Sequence, residues 1–242
     1  MTDPTRLERP RSLPQIVRSR LNGSAWAIAL LVTIEVATSF LSDELSAARL
    51  LAGSQASLNP PLYHAVWMGM IATLLIATTA LWIYNADRRL SQAILFTTGV
   101  VTGQLFVATV LVVVRLVQGL KVSVATLILD SVLIFVTNVL VFALWYWLID
   151  AAGPHATETT GPARRHFLFP QLQAEYPGWA GWTPDFLDYV FLAFTTSVAF
   201  SPTDTLPLSR VAKVLMMTQA TIALITITVV AGTAINALAS NA

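Results

Sequence analysis

The sequence predicts an all-α, polytopic membrane protein, and three observations predict it. Hydrophobic residues make up 55% of the 242-residue chain and charged residues only 11%, against about 25% charge in soluble domains, so the chain cannot cover a water-facing surface. Mean hydropathy is +0.68. The apolar residues are gathered into runs close to the roughly 20 residues that cross a hydrocarbon core of about 30 Å. From the order of these runs we expect four N-terminal apolar helices, a half-length helix and a final transmembrane helix. Residues 1–24 form a polar basic tail, 25–121 the first transmembrane helices, and 122–242 a C-terminal module.

The tail is arginine-rich, and the apolar stretch behind it lacks a small-residue cleavage site, so it reads as an uncleaved anchor. The first apolar segment, 25–41, is barely long enough to span and carries Glu35 in its middle. Asn59-Pro60-Pro61 suits a helix start, because proline lacks only a donor that the first turn leaves unpaired. A second span follows over 62–84. Asn85 to Arg89 make a tight polar connection to a third span over about 93–114, and residues 115–121 form the next junction. The fourth span covers about 122–149 and ends in Trp145, Tyr146 and Trp147, aromatics of the kind that sit at the membrane–water interface.

Residues 151–183 are the one long non-apolar connection, and Phe167, Phe169, Tyr176, Trp179 and Trp182 suggest that it lies on the interface. Thr183-Pro184-Asp185 then reads as a helix start: a capping hydroxyl, proline at the first helical position and a carboxylate in the first turn. Pro202 stops that helix by about Ser201. At 1.5 Å per residue its length is about 20 to 27 Å, short for a span and ample for a re-entrant half-helix. The last span runs from Val211 to about Leu238.

Read without gaps from Thr195 to Pro207, the chain resembles the pore loop of tetrameric potassium channels. Thr195 and Thr196 match the family's threonine pair, Asp204 the aspartate that closes its filter, and Pro207 the proline that follows. Residues 188–194 look like a pore helix, and Ser209-Arg210 with the apolar run behind them look like the start of an inner helix. With Phe169-Pro170 ahead of it, the region is also similar to an uncharacterised family of bacterial integral membrane proteins whose C-terminal part is channel-like. The resemblance covers about 122–238. It implies a bacterial inner-membrane protein with a cation-channel-like module, monovalent cations as partners and a homotetramer, since one loop supplies a quarter of a pore wall.

The filter-like set is Thr195, Thr196, Ser197, Val198, Ala199, Phe200, Ser201, Pro202, Thr203 and Asp204. A short helix entering the bilayer points a C-terminal end of about −0.5 charge at its centre, which favours a cation. A ladder of filter carbonyls needs residues that take left-handed backbone angles, normally glycine. Here the family's Thr-Val-Gly-Tyr-Gly is replaced by Ala199-Phe200-Ser201-Pro202-Thr203, and Pro202 biases Ser201 toward extended geometry. A potassium-type filter is therefore not expected. Two readings follow: a wider, less selective pore whose hydroxyls come from Thr195, Thr196, Ser197 and Ser201, or a pore-loop fold that does not conduct.

Charge placement sets the sidedness. Arg6, Arg9, Arg11, Arg18 and Arg20 hold the N-terminus in the cytoplasm by the positive-inside rule, with Arg88 and Arg89 on the same side. Four spans then put 151–183 inside, whereas a potassium-type loop enters from outside. A first segment that does not cross, an external N-terminus, or a full crossing by Asp185 to Ser201 each resolves the conflict, so five and six spans both stay open.

Glu35 and Asp130 are carboxylates at apparent membrane depth, where function is the default hypothesis. They could serve a carboxylate-coupled secondary transporter; pairing or hydration near a helix end is the plainer reading. A non-conducting scaffold is the remaining alternative. Gly99 and Gly103 form a small-xxx-small step suited to intramolecular packing, and Thr218, Thr221, Thr228 and Gly232 share a face that suits a helix contact or a pore wall. His64, His155 and His166 lack the spacing of a metal site. Without cysteine there is no disulfide or thiolate site. Nucleophile elbows and phosphate loops are missing, so no enzyme and no cofactor is expected. The arginines suit lipid headgroups in preference to nucleic acid.

Overall fold

The structure is a computed structural model, and it describes residues 69, 73, 87–117, 124–150, 165–173, 182–201 and 204–239. Glu35, His64, His155, Tyr176, Trp179, Pro202, Thr203 and the N-terminal arginines lie outside the described residues, as do the first two apolar segments except for helical Gly69 and Thr73. Among the described residues three helices are long and apolar enough to cross a membrane, and a shorter apolar helix accompanies them.

The first, α1 (Asp87–Val117), is 31 residues long. It begins inside the expected polar connection, because Asp87, Arg88 and Arg89 continue the helix outward from the apolar run. Next comes α2 (Val124–Asp150), 27 residues, the most buried of the three. The two run antiparallel, and the Trp145 indole N–H donates to Thr102 Oγ1 across them at 2.9 Å. A two-residue strand, β1 (Phe167–Leu168), leads through a single turn, α3 (Pro170–Gln173), to the half-length α4 (Phe186–Ala199) of 14 residues. The chain returns through β2 (Leu206–Pro207) into α5 (Arg210–Ala239), 30 residues.

The two strands pair antiparallel, Phe167 opposite Pro207 and Leu168 opposite Leu206, and the Leu208 N–H extends the bridge to the His166 carbonyl at 2.9 Å. An all-helical expectation contains no such bridge. Pro207 fits opposite Phe167 because the ladder bond comes from its neighbour Leu208, and hydrogen-bonded and non-bonded positions alternate along an antiparallel pair, so none is asked of Pro207 itself. The bridge brackets α4, so the chain leaves for the half-helix and comes back at one place, the end of the bundle where α2 stops and α5 starts.

α2 is the centre, packed against α1, α4 and α5. Phe142, Tyr146 and Trp147 of α2 join Phe167, Phe169, Tyr189, Leu192 and Met216 in one core. Four of the aromatics singled out in the sequence, Tyr146, Trp147, Phe167 and Phe169, are buried in it: Tyr146 lies 5.0 Å from Phe167, and Phe169 is edge-on to Tyr189 at 5.4 Å and to Trp182 at 5.8 Å, centroid to centroid. Such offset and tilted pairs contribute about 0.5–1.5 kcal/mol each beyond the area they bury. The long connection is thereby anchored in the core at its aromatic end.

Two expected packing faces have no partner helix among the described residues. A Cβ added at Gly99 or Gly103 meets nothing within 4 Å, so that step makes no close helix contact among the described residues. Thr218, Thr221 and Thr228 are exposed, each donating to the carbonyl four residues back. In lipid a hydroxyl satisfied this way needs no partner helix, whereas Thr226 and Thr233 are the buried threonines of α5.

Candidate functional site

α4 starts later than the Thr183-Pro184 pair suggests. Its N-cap is Asp185, whose carboxylate accepts from the N–H groups of Leu187 at 2.8 Å and Asp188 at 3.3 Å. The Asp188 carboxylate accepts in return from the Asp185 N–H at 2.7 Å, a reciprocal capping box. Pro184 stands just outside the helix and is buried. Desolvation raises the Asp188 carboxyl above the ordinary carboxylate range; the Asp185 N–H opposes this, and the Asp185 charge adds to it. Two carboxylates at a helix N-terminus favour the macrodipole, so the start of α4 is well defined.

The base of α4 is tied to Asp150, the last residue of α2. Its carboxylate is buried and accepts from the N–H of His166 at 2.9 Å, the N–H of Phe167 at 3.4 Å and the hydroxyl of Tyr189 at 2.7 Å. A carboxylate at a helix C-terminus opposes the dipole; three donors offset that and lock α2, β1 and α4 together. His166 Nδ1 adds a 2.7 Å hydrogen bond to Ser209 Oγ, and Ser209 caps α5 by accepting from the Ala212 N–H at 3.1 Å.

A second knot holds the deep half. Gln219 of α5, fully buried, donates through Nε2 to the Ala193 carbonyl and to Ser197 Oγ, both at 2.8 Å. The Tyr146 hydroxyl donates to Gln219 Oε1. Asn138 Nδ2 donates to the Gln219 carbonyl at 3.3 Å and to Ser197 Oγ at 3.4 Å. Between membrane helices such bonds contribute about 0.6 kcal/mol each on average. From Tyr189 to Ser197 the α4 axis advances about 12 Å, so the two knots hold the half-helix two turns apart.

The filter-like residues divide between two faces. Thr196 and Ser197 are turned into the chain's own core: Thr196 donates to the Leu192 carbonyl at 2.7 Å, and Ser197 is held by Gln219. Thr195 is half-buried and bonds the carbonyls of Phe191 and Leu192. Val198, Ala199, Phe200, Ser201 and Asp204 are exposed, which leaves Ser201 as the exposed hydroxyl of the set among the described residues. Phe200 takes φ 55° and ψ 20° as the C-cap, a left-handed geometry that costs a non-glycine residue about 1–2 kcal/mol. It is the single positive-φ non-glycine residue among those described. Asp130 lies on α2 in its first two turns.

Asp150, Asn138 and Gln219 are the residues that reading the sequence passes over. Their signals are present: an acid at the wrong end of a helix for its dipole, and amides inside apolar runs, which in lipid call for a partner.

By length and composition the chain is an integral membrane protein. Compared with protein-family models, curated proteins and solved structures, it matches none.

Proposed function

We propose that this chain is a pore-loop membrane protein, a cation-channel-like module without potassium selectivity, assembled from several copies around an axis. The observation that carries the reading is α4: 14 residues, about 21 Å, leaving and rejoining the bundle at the β1–β2 bridge and held from behind at two depths. If Asp150 marks a membrane boundary, the stretch from Tyr189 to Ala199 descends about 15 Å and brings the C-terminal end of α4 to the middle of a core about 30 Å thick. That end carries the negative pole of the helix dipole, which draws cations.

Non-helical backbone at such depth is tolerated only against protein or a water-filled cavity. Residues 198–201 are exposed in the single chain, so further copies or water must cover them. On this reading Val198 to Ser201 form the narrow part and Asp204 a ring of carboxylates at the mouth. Arg88, Arg89, Arg165 and Arg210 belong to the end of the bundle from which α4 departs, so the positive-inside rule opens the mouth to the cytoplasm, opposite to the potassium channels.

The test is oligomeric mass in detergent combined with cation flux into liposomes. The reading expects a tetramer, and flux of sodium and potassium at comparable rates that Asp204→Asn lowers several-fold. A monomer without flux overturns it and leaves a membrane scaffold.

A further inference from the structure

We propose that the groove between α1 and α5 binds one anionic phospholipid, with an acyl chain in the groove and the phosphate against Arg210 and Lys213. The groove has a volume of about 460 Å3 and is walled by Phe106, Val110 and Val114 of α1 and by Val214, Met217 and Ile225 of α5. From Val214 to Ile225 it follows α5 for about 16 Å, close to the roughly 15 Å depth of a single leaflet.

Its chemistry selects a hydrocarbon chain. The three threonines in the wall, Thr109, Thr218 and Thr221, all donate to carbonyls of their own helices, at 2.8, 3.0 and 2.8 Å. No hydroxyl in this wall has a proton left to donate to a polar ligand.

Its mouth selects an anion. Arg210, Val214, Met217 and Thr221 follow one another at i, i+4, i+7 and i+11, so Arg210 stands on the groove's own stripe one turn above the apolar wall. Lys213 neighbours both Arg210 and Met217 on the helix surface. Both basic side chains are exposed, and the first turn of α5 contains no acidic residue. Cations at a helix N-terminus oppose the dipole; a phosphate there complements the two charges and the helix end together. Each basic residue near a membrane surface favours anionic lipid by about fivefold.

This site rests on the membrane reading and not on conduction. The full chain has no cysteine, so Thr221→Cys gives a single attachment point for a bimane fluorophore, and Thr218→Cys supplies an independent second one. The labelled protein is placed in phosphatidylcholine vesicles containing either brominated phosphatidylglycerol or brominated phosphatidylcholine at matched mole fractions. The expected result is half-quenching at about 25-fold less brominated phosphatidylglycerol, with the two curves brought together by Arg210→Gln with Lys213→Gln. Coincident curves in the unsubstituted background would mean bulk lipid, and a preference surviving the double substitution would remove the headgroup assignment. Absence of quenching by either lipid at both positions would mean that a second copy or another segment of the chain fills the groove. Each of these three results overturns the proposal.

Discussion

The back and the front of α4 are built from opposite materials. The back is polar where it matters: Tyr189 reaches Asp150 near the base, and Ala193 and Ser197 meet Gln219 one and two turns deeper. The front is a stripe of Leu187, Phe191, Phe194 and Val198, all exposed, with Phe200 continuing it past the cap. Apolar contact in a bilayer is nearly indifferent to partner, because lipid tails are as apolar as leucine, whereas hydrogen bonds have direction. The chain therefore fixes the half-helix in position and rotation with bonds behind it. Its apolar front remains available to lipid or to another chain.

The comparison can be broken at the base with the largest effect. Asp150→Ala leaves the Tyr189 hydroxyl and two strand N–H groups without their shared acceptor, and hydrogen bonds to a charged group contribute about 1.5–3 kcal/mol. A loss of about 3 kcal/mol in unfolding free energy in detergent is expected, with Asp150→Asn losing less because one oxygen still accepts. Equal stability of Asp150→Ala and the unsubstituted chain would show that the base is held by packing alone. Gln219→Leu comes next. Three side-chain bonds at about 0.6 kcal/mol each predict a loss near 2 kcal/mol, and protease accessibility should rise at residues 198–204 before the long helices open. No change there would disconnect the deep knot from the placement of the tip.

At the tip the sign reverses. Phe200→Gly removes a left-handed phenylalanine that is 42% exposed, and about 1 kcal/mol of added stability is expected in the same unfolding experiment. A loss instead would mean that the ring, not the backbone, governs this position.

The smallest effect lies in the capping box. The Asp188 carboxyl is raised from its ordinary 3.8, so the folded chain holds that proton more tightly than the unfolded chain does. Stability from this group is complete below 3.8 and is lost as pH rises through the higher folded value. Asp188→Asn keeps an oxygen for the Asp185 N–H and removes the titration. Its unfolding midpoint should therefore be flatter as pH rises above 3.8, and parallel curves for the two proteins would contradict the assignment.

The long helices were legible because length and hydropathy are enough to specify them: α1, α2 and α5 begin and end within a few residues of the apolar runs, apart from the turn that Asp87 to Arg89 add. The short α4 was legible because Pro202 limits it. Orientation is not legible in the same way: hydropathy does not say which way an aromatic near a helix end turns, so it gives no sign that Tyr146, Trp147, Phe167 and Phe169 gather in one core. Rotation of α4 about its axis was equally hidden. Which of Thr195, Thr196 and Ser197 faces inward depends on Gln219 and Asn138, far away in sequence. Nor does a pairing such as Phe167 with Pro207 leave a local signal, since two-residue strands have no periodicity to detect.

The β1–β2 bridge has one consequence for how the chain is threaded. Because Leu168 and Leu206 are paired neighbours, everything between them is a detour that begins and ends at one point, so it contributes an even number of crossings to the polypeptide's path. The sidedness of α5 is then inherited from α2 and is independent of α4. Biogenesis can handle α2 and α5 as an ordinary pair of opposed spans and dock the half-helix afterward, and a chain with the detour replaced by a tight turn would still deliver α5 in its native direction.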